Sequence, residues 1–131
     1  MDLVPLRRAI FRAFADTGRP PALAPEELTA LAAAHAVVLG EDGGIAFANP
    51  FAAGPSAFLV ETERGTYDAV CAWDALGIIA LLGTDGTART TCADCGDEIV
   101  VGVGRGVPLP VGALVHFLVP AAQWYEDLGF A

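Results

Sequence analysis

Cys71 and Asp74 stand three residues apart in the apolar stretch 70–83, VCAWDALGIIALLG. On a helix that spacing projects a thiol and a carboxylate from one face, about one turn apart. No other charge lies between Asp68 and Asp85, and the neighbours on that face, Ala75 and Ile78, are apolar. Asp74 is therefore expected to be buried or half-buried. Burial disfavours the charged form, so this carboxyl rises above its ordinary value of roughly 3.9 and can hold a proton to donate. The same surroundings make Cys71 a poor thiolate unless a cation or a soft metal stabilises it. The structural alternative is that Asp74 bonds to nearby backbone and that Cys71 is a small buried hydrophobe, the usual state of a free cysteine.

A second pair, Cys92-x-x-Cys95 followed by Gly96, has the spacing of a zinc knuckle, in which two thiolates reach one metal from a tight turn. A four-ligand site would draw its remaining ligands from Cys71, His116, and Asp74 or Asp94; three thiolates and one imidazole, from Cys71, Cys92, Cys95 and His116, make the natural set. A redox dithiol is the competing reading, but thioredoxin-like motifs sit at a strand-to-helix junction and this pair sits in a hairpin. His116, alone in an apolar run, fits a hydrogen-bonded core residue as readily as a ligand.

These groups need elements to position them. Residues 3–16 place Leu6, Ile10, Phe11 and Phe14 at helical period, with Arg7, Arg8 and Arg12 opposite. Gly18 and Pro20-Pro21 end that helix. Pro25, then Glu26 and Glu27, suit the first turn of a second helix, which Leu28 and Leu31 bury, ending near Ala34. Residues 35–39 and 45–48 flank the turn Glu41-Asp42-Gly43-Gly44 and predict a hairpin. Helix, helix, hairpin is the order of a small winged-helix lobe, assigned to residues 1–50, and residues 50–55 read as a linker. The core, 56–131, is expected to hold strands at 57–61, 88–91, 98–103 and 112–119, the central helix at 70–83 and a closing helix at 121–128 with Trp124 inward. The fold class expected is α+β, a small antiparallel sheet packed with helices and preceded by the lobe.

At 131 residues the chain can bury a sizeable core and needs no disulfide. Three cysteines, an odd number without a secretion signal, favour free thiols or metal ligands. The formal net charge is −9, lysine is absent, and all seven basic residues are arginine. Such a balance repels phosphate backbones, and the lobe itself sets Arg7, Arg8, Arg12 and Arg19 against six carboxylates, so no nucleic-acid partner is expected. The longest uncharged run, 106–125, is broken by Pro108, Pro110 and Pro120 and does not read as a membrane span; a cytoplasmic protein is expected.

The runs YDAVCAWDALGIIALLG, TARTTCADCG and VHFLVPAAQWYEDL, in this order and spacing from Tyr67 to Leu128, resemble the organomercurial lyase (alkylmercury lyase) family. The resemblance implies cleavage of a carbon–mercury bond by protonolysis. Cys71 matches the family's first catalytic cysteine, Asp74 the aspartate that handles the proton, and Cys92 a cysteine of mainly structural role. The family's second catalytic cysteine precedes the Val-His-Phe run, where this chain reads Val111-Gly112-Ala113-Leu114 without a thiol. Cys95, which the typical lyase lacks, is the substitute at hand. The resemblance requires no cofactor; it implies an organometallic or other thiol-reactive substrate, with small thiols as exchange partners. The alternatives are a non-catalytic protein holding zinc, copper(I) or mercury(II) on Cys71, Cys92 and Cys95, and a lyase-like scaffold turned to another reaction. Oligomeric state is left open.

Overall fold

The computed structural model describes residues 1–110 and 122–123. The expected strand at 112–119 with His116, and all but two residues of the expected closing helix, lie outside the described residues.

The first helix, α1 (Val4–Thr17), begins where Asp2 Oδ1 accepts the Val4 amide at 3.0 Å, with proline in its first turn. It ends at Gly18, whose positive φ of 73° lets its amide bond back to the Phe14 carbonyl at 2.8 Å. Proline in the first turn also opens α2 (Pro25–Ala33), and Glu27 Oε2 reaches back to the Ala24 amide at 2.9 Å. The predicted hairpin forms as β1 (Val38–Leu39) and β2 (Ile45–Ala48) around Gly43.

The expected linker is a strand instead. Phe51 and Ala52 form β3, paired antiparallel with β2 on one side and with β5 (Gly65–Ala69) on the other. Phe51 is fully buried, stacked on Phe14 with ring centroids 4.9 Å apart and tilted against Tyr67 at 5.8 Å. Tyr67 then donates its hydroxyl to the Ala15 carbonyl at 2.7 Å, clasping the end of α1 to the sheet. Prolines and small residues on either side disguise a segment whose aromatic side chain binds helix to sheet.

The fold is α+β. Among the described residues three helices accompany an eight-stranded antiparallel sheet of order β1-β2-β3-β5-β4-β6-β7-β8, in which β4 is Phe58–Thr62, β6 Gly86–Thr91, β7 Glu98–Gly104 and β8 Val107–Leu109. Strand β8 falls outside the strands expected from the sequence; Arg105 and Gly106, both at positive φ, make the tight turn that pairs it with β7. One hydrophobic cluster runs from Ile10, Phe14 and Leu31 through Phe51, Val60 and Tyr67 to Ala75, Ile78 and Ile79. Among the described residues no helix is long and apolar enough to cross a membrane.

The central helix, α3 (Ala72–Leu82), links β5 to β6 and lies over β4, β5 and β6. Ala75, Ile78 and Ile79, at i, i+3 and i+4, are the residues it buries. Gly86 allows this close approach, because a Cβ there would stand 3.0 Å from the Glu61 carbonyl oxygen, Ile79 Cγ1 and Thr62 Cγ2. The site therefore rides on a helix start held rigidly against three strands.

Candidate active site

Cys71 does not lie within the helix, as the sequence suggests, but caps it. Its backbone is extended, with φ −149° and ψ 179°, and its carbonyl accepts the Ala75 amide at 3.0 Å, the first bond of α3. Asp74 is in the first turn. The expected meeting of thiol and carboxylate holds nonetheless: Cys71 Sγ donates to Asp74 Oδ2 at 3.4 Å. A cap and the third helical residue face each other much as two residues one turn apart do, which is why the spacing argument survives the shifted boundary.

The same oxygen takes a second donor that sequence reasoning missed. Asn49 Nδ2 donates to Asp74 Oδ2 at 3.0 Å from 25 residues upstream. Asn49 sits between β2 and β3, and the β3–β5 pairing brings that corner to the start of α3; the Pro50 carbonyl also accepts the Val70 amide at 3.2 Å. No local pattern signals this contact, since the sheet alone makes it.

Burial raises the Asp74 carboxyl above its ordinary value, against the lowering effect of the bonds from Cys71 and Asn49. Burial also raises Cys71; the amides of Asp74 and Trp73 at the helix start oppose this, while the charge and hydrogen-bond acceptance of Asp74 add to it. The cysteine side chain closes no good cap hydrogen bond of its own. The pair is a thiol hydrogen-bonded to a half-buried carboxyl group. A soft electrophile that takes the sulfur releases the thiol proton beside the oxygen best placed to accept it.

The surroundings are open rather than enclosed. Trp73, 58% exposed, turns outward and walls a groove of about 690 Å³ with Leu76, Gly77, Val103, Arg105 and Pro108. Cys71 and Asp74 line neither this groove nor the hollows along β4–β6–β7 and beneath Phe47 and Phe58.

Cys92 and Cys95 lie apart from this pair, in the predicted turn between β6 and β7. The turn is closed by Cys92 N–H to the Asp97 carbonyl at 2.7 Å and Gly96 N–H to the Cys92 carbonyl at 2.9 Å, with Gly96 at φ 76°. The amides of Cys95 and Asp94, then the Cys95 thiol, face the Cys92 sulfur and lower its pKa. Cys95 is exposed, and all three cysteines are free thiols. Among the described residues no three His, Cys, Asp or Glu side chains gather closely enough to hold one metal ion. Cys71, Cys92 and Cys95 are thus not brought to a common point, and His116 lies outside the described residues.

Comparison with known proteins follows the same residues. The alkylmercury lyase family model matches residues 51–129, well over half of the chain. The chain belongs to the alkylmercury lyase family. Among solved structures it is similar to the mercury-bound form of MerB2, with a TM-score of 0.65 and 25% identity over 80% of this chain and 57% of that one. The lyase-family chain therefore spans little more than half the length of that relative. No curated protein matches it. The matched region contains Asp74 and all three cysteines, and Asn49 falls two residues before it.

Proposed function

We propose that this lyase-family chain cleaves carbon–mercury bonds by protonolysis at Cys71 and Asp74. The supporting observation is the 3.4 Å contact from Cys71 Sγ to Asp74 Oδ2 at the start of a helix in a chain of this family. Soft sulfur suits soft mercury, and a carboxylate beside the thiol suits proton transfer. In the first step Cys71 sulfur displaces the ligand X of an organomercurial R–Hg–X; X leaves as an anion and the thiol proton passes to Asp74 Oδ2. In the second, Asp74 returns that proton to the carbon. The carbon–mercury electron pair becomes the carbon–hydrogen bond, RH departs, and mercury(II) stays on Cys71 sulfur until small thiols remove it. Nothing is oxidised or reduced. Asn49 holds Asp74 towards the sulfur throughout.

The test is benzene release from phenylmercury with excess small thiol. Turnover by the wild-type chain and its loss in Cys71→Ser support the proposal; no turnover by the wild-type chain refutes it. A second reading, a soft-metal-binding protein on the lyase scaffold, is favoured by the absence of cysteine in residues 111–114. That reading expects mercury(II) to bind without any benzene release.

A further inference from the structure

The turn between β6 and β7 carries two thiols that the proposed protonolysis does not use. Cys92 and Cys95 stand at its opposite shoulders, three residues apart, and the turn is held by its own backbone bonds, Cys92 N–H to Asp97 O and Gly96 N–H to Cys92 O. The turn is therefore preformed. The β6–β7 ladder from Thr91↔Glu98 to Gly86↔Val103 anchors it on one side, and the Cys95 thiol reaches the Cys92 sulfur. Amides of Cys95 and Asp94 face that sulfur as well, as donors to a thiolate. Cys95 is exposed and Cys92 partly so, and solvent reaches both thiols.

The number of ligands selects the metal. Zinc in structural sites takes four ligands at tetrahedral positions, and no third His, Cys, Asp or Glu joins the pair among the described residues. Two thiolates alone suit soft cations that accept low coordination numbers, the class to which copper(I) and mercury(II) belong. Acidic neighbours, Asp94, Asp97 and Glu98, supply negative charge around the turn for a cation to approach.

We infer that Cys92 and Cys95 form a second, independent site that captures a soft cation, mercury(II) in this chain, as a two-coordinate bis-thiolate. Both S–H bonds break, two S–Hg bonds form, and two protons leave to solvent, with no change in oxidation state. That mercury(II) is the ion met there rests on the reading of Cys71 and Asp74 as a lyase site that yields it. The coordination itself does not, so the test uses inorganic mercury and a chain that cannot turn over.

The reduced Cys71→Ser chain is titrated with mercuric chloride against excess small monothiol. The expected result is one mercury retained per chain, its two chain thiols exchanging for two monothiolates without net proton release, and two sulfur neighbours in the mercury X-ray absorption spectrum. Replacing Cys95 by Ser in that background should weaken retention by about 10²–10⁴-fold, the advantage that linking two binding groups confers. The proposal is overturned if Cys71→Ser holds no mercury, if the spectrum shows three or four sulfurs, or if the same chain retains stoichiometric zinc. It is overturned equally if Cys92→Ser/Cys95→Ser on the Cys71→Ser background still retains mercury. Failure of phenylmercury turnover in the wild-type chain would sink the lyase reading and leave these outcomes as they stand.

Discussion

Removing the Asn49 amide, by Asn49→Ala, isolates how the sheet tunes the carboxylate. Asn49 Nδ2 donates to Asp74 Oδ2 at 3.0 Å, and that bond favours the ionised form, while burial favours the protonated one. A hydrogen bond to a charged group contributes about 1.5–3 kcal/mol. Asp74 is only half-buried, so solvent screens the pair and about 1 kcal/mol is the fair figure. Losing that bond removes a lowering influence, so the Asp74 titration moves further upward. In the proposed mechanism Asp74 must be ionised to accept the Cys71 proton, so activity falls as pH drops through the Asp74 pKa. Asn49→Ala should shift that acid limb towards neutrality, in the same direction as the carboxyl titration, and leave the alkaline limb, set by Cys71, in place. Phenylmercury protonolysis measured across pH reads the limb, and carbon NMR of the labelled Asp74 carboxyl reads the titration without turnover. An unmoved carboxyl titration in a variant that keeps the wild-type fold would refute the reasoning, because a merely structural Asn49 would not touch it.

Asp74→Asn should lower protonolysis by about 10²–10⁴-fold, the usual contribution of a positioned acid or base. The same variant should be slightly more stable than the wild type near pH 7, by less than about 1 kcal/mol. The sign follows from the raised pKa: the folded chain binds the Asp74 proton more tightly than the unfolded one, so wild-type stability declines as pH rises from the ordinary carboxyl value through the folded one. Melting curves at pH 3 and pH 7 check this, and a variant destabilised at pH 7 contradicts it. Ile78→Ala, at a fully buried position on the inner face of α3, should cost about 2–5 kcal/mol in denaturant unfolding; a loss below about 1 kcal/mol would mean that α3 is not seated as described. Gly86→Ala should cost about 1–3 kcal/mol, since two of its three 3.0 Å neighbours sit on strand β4 and the third on α3; an unchanged melting temperature would show that the close approach is not tight.

Much of the site was legible in the chain because it is local. The meeting of Cys71 and Asp74 follows from a three-residue separation that either a helix or its cap would bring together. The Cys92–Cys95 turn follows from two thiols and a glycine between strand-forming runs. Periodicity likewise placed α1 and α2 within a residue or two of where they lie, and Ile45–Ala48 as a strand. Phe51 was misplaced because prolines, glycine and small residues around it carry turn propensity, and only stacking on Phe14 and pairing with β5 overrule that local preference.

By itself the sequence determined which groups could do chemistry, since identity and short spacing fix what a thiol and a carboxylate can share. Only the tertiary structure decided that Asn49 bonds to Asp74, that Cys71 caps α3, and that the Cys92–Cys95 pair is not gathered with Cys71. Those outcomes depend on which strands lie side by side. The order β3-β5-β4-β6 is set by burial of side chains distant in sequence, an energy that no short stretch contains.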